Sequence, residues 1–151
     1  MPDRKTLERA ARDKRQGKAA STQAGEFVRE EIEHVREGKH GARSTRQAIA
    51  IGLSKARRAG FDLPPPAKGK ASKRTRVAAK RAYAAGGKRN GVVSAKRSRA
   101  TTEALRREPH AAASKAALSR QAHASAKKRT AADRSAAAHK AARTRFREKD
   151  G

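Results

Sequence analysis

The chain has 151 residues, 35% hydrophobic and 36% charged, and its 40 Lys and Arg against 14 Asp and Glu give a formal charge of +26. So little apolar side chain leaves no pocket-sized core to tune catalytic groups, so neither an enzyme nor a bound small molecule or cofactor is expected. With no cysteine there is no disulfide framework and no thiolate metal site, and no apolar run reaches signal-peptide or membrane-spanning length.

Residues 1–20 read as a basic extension containing Leu7, Ala10 and Ala11. A first helix is expected from Thr22 to Glu37, stopped by Gly38 as a left-handed cap. On a wheel of about 100° per residue, Ala24, Val28, Ile32 and Val35 form one stripe with Phe27 at its edge, while Glu26, Glu30, Glu33 and Glu37 gather opposite as a solvated acidic face. A second helix should start at Ser44, whose hydroxyl caps the Gln47 amide in a capping box, and stop at Gly60. Ile49, Leu53 and Ala56 make its stripe. Gly52 and Ala59 beside them would let another helix approach closely, and Phe61 should fold back on the last turn. Residues 21–63 are therefore expected as an αα-hairpin, and a unit this small needs cover from the N-terminal stretch, from the C-terminal half, or from a second copy in a homo-oligomer.

Pro64-Pro65-Pro66 reads as a stiff linker and domain border. Charge divides there. Residues 1–66 carry 15 basic and 9 acidic side chains, and residues 67–151 carry 25 and 5, for +6 and +20. The second half is an Ala/Lys/Arg/Ser mixture in which Lys73–Ala85, Thr101–Glu108 and an alanine-rich stretch from His110 to about Arg147 are helix-compatible. Lacking large apolar residues to pack with, it is expected to be a mobile tail, disordered or fractionally helical, that orders on a polyanion. The fold class is all-α.

Several strings carry a resemblance: Ser21-Thr22-Gln23-Ala24-Gly25-Glu26-Phe27-Val28-Arg29-Glu30-Glu31-Ile32, Gly38-Lys39-His40-Gly41-Ala42-Arg43-Ser44, and Gln47 to Ser54 with Lys55-Ala56-Arg57-Arg58-Ala59-Gly60 and the prolines. Over about residues 21–66 the chain resembles a family of small basic bacterial proteins that carry unknown-function, DNA-binding or plasmid-stabilisation labels. Ala104 to Glu108, Ala112 to Ser114 and Ala117 to Ala122 also look like that family. The resemblance implies a DNA-linked role and no catalytic or binding residues. By composition alone, the tail is similar to linker-histone and bacterial histone-like tails.

The loop Gly38-Lys39-His40-Gly41-Ala42-Arg43 is the one local feature that points to a ligand. Outward amides, two cations and a helix start would together form an anion site. Expected phosphate contacts are Lys39, Arg43, Arg46, Lys55, Arg57 and Arg58 on the loop and second helix. On the tail they are Lys73, Arg74, Arg76, Lys80, Arg81, Lys127, Lys128 and Arg129. Tyr83 and Phe146 are the tail's only aromatics, too few for base stacking, so duplex DNA is favoured over RNA. The five histidines, His34, His40, His110, His123 and His139, have no thiol nearby, and no metal site is expected. The function expected is non-specific binding to the DNA backbone by a soluble, cytoplasmic, nucleoid- or plasmid-associated protein. The alternatives are an RNA- or ribosome-associated factor, or an interaction module that docks through the acidic helix 22–37.

Overall fold

In a computed structural model, which describes residues 1–87 and 94–149, the described residues form seven α-helices and one 3-10 turn, with no strand among them. Two compact units divide the chain, Met1–Ser114 and Lys115–Gly151. The first contains α1 (Arg4–Arg15), α2 (Ala20–Arg36), α3 (Thr45–Arg58), α4 (Lys73–Ala84), α5 (Ala95–Arg106) and the 3-10 turn Ala111–Ala113; the second contains α6 (Lys115–Lys127) and α7 (Ala131–Lys149).

The expected hairpin is α2 and α3. Ser44 caps α3 by accepting from the Gln47 amide at 3.2 Å, while the Gln47 side chain accepts from the Arg43 amide at 2.8 Å, one residue before the cap. Both helices end in a glycine at positive φ, Gly38 at 73° and Gly60 at 87°. The next amides then reach back, Lys39 to the His34 carbonyl and Phe61 to the Ala56 carbonyl, as in a Schellman motif. Phe61 is thereby placed edge-on to Phe27 at 5.2 Å, in a core shared with Ala10, Ala24 and Ala56.

Small residues set the helix spacing. On α3 the buried line is Ala48, Gly52 and Ala56, with Ile49 and Leu53 half-buried at its flanks. A methyl group on Gly52 would stand 2.6 Å from Val28 Cα and 2.9 Å from the Phe27 carbonyl oxygen. The hairpin's centre is therefore a backbone-to-backbone crossing, with the larger side chains closing its edges.

Cover comes from both ends of the first unit. α1 packs on α2 through Thr6 and Ala10, α4 packs on α3 through Ala79 and Ala82, and the 3-10 turn sits against both hairpin helices. That turn is pinned by Arg36 Nε to the Ala113 carbonyl at 2.8 Å and by Thr45 Oγ1 to the Ala112 carbonyl at 2.6 Å. The Arg57 guanidinium fastens the proline segment, donating to the carbonyls of Leu63 at 2.9 Å and Pro64 at 3.3 Å.

Three expectations change. The prolines run inside the first unit instead of bordering it, while residues 1–20, one of the expected covers, do supply α1 to the core layer. Most described residues after Pro66 lie in helices instead of a mobile tail; in α4 and the 3-10 turn, alanines that approach closely (Ala79, Ala82, Ala112 and Ala113) and hydrogen bonds to loop carbonyls replace the missing large side chains, while α5 and α6 bury no residue. The stretch from His110 to Arg147 is interrupted, and Thr130 and Asp133 start α7 by capping each other: Asp133 N donates to Thr130 Oγ1 at 3.1 Å and Thr130 N to Asp133 Oδ2 at 3.3 Å. Residues 88–93 and 150–151 of the expected tail lie outside the described residues.

Candidate functional site

The fourteen expected phosphate contacts separate into cations that face solvent and cations the fold uses. On α4, Lys73, Arg74, Lys80 and Arg81 are exposed and Arg76 half-buried, on a helix whose sequence holds no carboxylate. Lys127, Lys128 and Arg129 are exposed where α6 gives way to α7. Arg43, Arg46 and Arg58 are exposed on the hairpin, and Lys39 is exposed with its ammonium 2.9 Å from Glu37, which holds it above the ordinary lysine range.

Lys55 and Arg57 are structural instead. Arg57 is 6% exposed, and burial lowers its pKa from the usual arginine value. Lys55 turns inward onto Glu30 Oε1 at 3.2 Å and Glu31 Oε2 at 2.7 Å. Burial opposes its charge, but the two carboxylates outweigh that and raise it.

The expected anion loop is also differently occupied. Its Gly41 amide donates to the Leu105 carbonyl at 2.8 Å and its Ala42 amide to the Pro109 carbonyl at 3.0 Å, so these two donors are spent on the chain itself. Gly41 is required by proximity: a Cβ there would collide with the Glu108 carbonyl. The loop serves as a docking point for residues 105–109.

The acidic face of α2 is solvated only in part: Glu37 is exposed and Glu33 half-exposed, while Glu26 and Glu30 are covered. Glu26 meets Arg9 of α1 at 2.8 Å, Glu33 meets Arg29 at 3.1 Å, and Glu30 and Glu31 are 2% and 0% exposed. Burial would raise the Glu30 carboxyl, but the Asp3 amide at 3.0 Å, the Thr6 hydroxyl and Lys55 together hold it below the usual carboxylate range. Beside it, His40 Nε2 lies 3.1 Å from Glu31 Oε1, and His34 Nε2 lies 3.5 Å from Asp3 Oδ2. This ionic cluster joins the N-terminal segment, α2, the loop and α3. Its signal was present in the chain: Glu31 and His34 stand three apart on one helix, and Glu30 and His34 four apart, spacings that share a face.

A shallow cleft of about 400 Å³ lies between α1 and the end of α3, lined by Ala11, Lys14, Arg15, Ala59, Gly60 and Phe61. It offers cations over an apolar floor, and no carboxylate, histidine or nucleophile. No described helix is long and apolar enough to cross a membrane.

Compared with known proteins, the chain finds no match among curated proteins or solved structures. Residues 3–68, which take in α1, α2, α3 and the prolines, are similar to a family of unknown function (DUF6496).

Proposed function

We propose that this protein binds nucleic acid through the phosphate backbone, duplex DNA ahead of RNA, and without strong sequence preference. The observation that carries the reading is the segregation of charge. Residues 67–151 hold 25 basic and 5 acidic side chains, and their described cations stand mostly exposed on helices. The carboxylates of α2, which would repel a polyanion, each lie against a cation within the first unit. Counterion release then favours phosphate contact across the exposed helices. Helices with few aromatic side chains suit duplex phosphates better than stacked single-strand bases: Tyr83 donates its hydroxyl to Asp62 at 2.6 Å, which leaves Phe146, 69% exposed, as the ring most open to solvent. Docking through the acidic helix has less support, since α1 covers Glu26 and Lys55 engages Glu30, which leaves only Glu33 and Glu37 of that face open.

Fluorescence anisotropy with labelled mixed-sequence duplexes, single-stranded DNA and structured RNA tests this. At low salt the duplexes should bind at micromolar concentration or below, with little difference between sequences. Tighter binding to RNA would favour an RNA-associated role, and absence of binding to all three would refute the reading.

A further inference from the structure

We propose that Glu31, His34 and His40 hold a divalent transition-metal ion, with zinc the best match to the set. The site is independent of the cationic surfaces. Among the described residues, these three offer ligand atoms that all lie within 4.8 Å of one another. Four-coordinate zinc, at about 2.0–2.1 Å from each ligand, needs neighbours roughly 3.4 Å apart. Small rotations of three side chains close that gap. Two imidazoles and one carboxylate form a ligand set typical of zinc and leave a fourth position for water.

Three features of the site point to a cation. Glu31 is fully buried; its Oε2 pairs with Lys55 Nζ at 2.7 Å, while Oε1, 3.1 Å from His40 Nε2, has no hydrogen-bond partner. His40 Nδ1 lies 3.0 Å from the Gly41 carbonyl. A neutral ring that donates there turns the lone pair of Nε2 toward the Glu31 carboxylate, a contact that becomes attractive only with a positive charge between or on the groups. The same carbonyl bond is the kind of support that fixes the tautomer of a metal-bound histidine. Finally, two buried carboxylates, Glu30 and Glu31, share one ammonium, Lys55. With both rings neutral, that buried trio keeps one negative charge, which a bound cation would offset.

A second grouping, Asp3, Glu30 and His34, shares His34. It is the weaker choice because the Glu30 oxygens already accept from the Asp3 amide and Lys55. Glu30, through Lys55, would instead orient the metal-bound Glu31.

The test uses the full chain, freed of nucleic acid by nuclease and high salt and of metal by chelator, titrated with zinc against a chromophoric chelator. One equivalent should bind at micromolar concentration or tighter. His34→Gln and His40→Gln should each weaken it at least about tenfold, while His110→Gln and His123→Gln should leave it unchanged. Cobalt(II) on the native chain needs no variant to fold: it should give the intense visible absorption of a four-coordinate ion and shift the ring protons of His34 and His40. Binding weaker than micromolar, an equivalent untouched by both variants, or shifts confined to His110, His123 and His139 would each overturn the proposal.

Discussion

Adding one methyl group to Gly52 should destabilise the first unit, although it puts the best helix former in place of a poor one. In an exposed helix interior Gly→Ala gains about 1 kcal/mol. Here the new Cβ would meet Val28 Cα at 2.6 Å, the Phe27 carbonyl oxygen at 2.9 Å and Val28 N at 2.9 Å. All three are backbone atoms, so no side chain can swing aside. α2 and α3 must part by most of an ångström, which loosens Phe27, Ala24 and Ala56 in the core. Overpacking of this kind costs about 1–3 kcal/mol, and a clash against backbone belongs at the upper end. The net loss is then about 2 kcal/mol, roughly a thirtyfold change in the folding equilibrium and a fall in Tm of roughly 8 °C. Gly25 is the control: it lies in α2 with nothing within 4 Å of its would-be Cβ, so Gly25→Ala should stabilise by about 0.5–1 kcal/mol. Urea unfolding followed by circular dichroism at 222 nm reads both. If Gly52→Ala is neutral or stabilising, α2 and α3 do not cross at this point.

Arg57→Met keeps the aliphatic stem but removes the donors to Leu63 and Pro64; it should cost about 1–2 kcal/mol in unfolding measurements and leave duplex affinity unchanged, whereas a loss of affinity with intact stability would return Arg57 to the binding surface. Tyr83 is the only tyrosine, and its hydrogen bond to Asp62, together with that carboxylate's charge, raises its pKa. Ultraviolet titration should therefore find the phenol ionising above the usual tyrosine value, and Asp62→Asn should bring it down. Because the folded-state pKa is raised, the stabilisation from this contact is complete below the ordinary tyrosine pKa and disappears as pH rises through the folded value.

Local signals in the chain identified the hairpin well. Ser44, Gly38 and Gly60 mark helix ends through chemistry confined to a few neighbours, and of the α2 stripe Ala24, Ile32 and Val35 are buried and Val28 half-buried, while Phe27, expected at the edge, is fully buried in the core. What was not legible was partnership. Periodicity puts Glu30 away from the apolar stripe and Glu31 within it, four residues from Phe27 and Val35, but that Lys55 meets both depends on how α3 crosses α2. That crossing is set by Gly52, a residue that hydrophobicity patterns pass over. The packing of α4 and the 3-10 turn is hidden for a related reason: alanine carries little weight in a count of core formers, yet Ala79, Ala82, Ala112 and Ala113 bury by letting backbones come close. Arg57 and Lys55 look the same in sequence as Arg58, and only the fold separates the two inward cations from the outward one. Thr130 and Asp133 had the spacing of a helix start, hidden in a stretch where every residue favours helix.

The central claim, phosphate contact by exposed cations, is tested most directly by the salt dependence of duplex binding. With about ten contacts, log K against log salt should fall with a slope near −9, from about −0.9 per contact. Replacing Lys73, Arg74, Lys80 and Arg81 of α4 by Gln should flatten it by roughly 3–4 if all four touch phosphate. A slope near zero in the native chain, or one that the α4 substitutions leave unchanged while the helix stays folded, would contradict the account, in the first case for the whole protein and in the second for its assignment to α4.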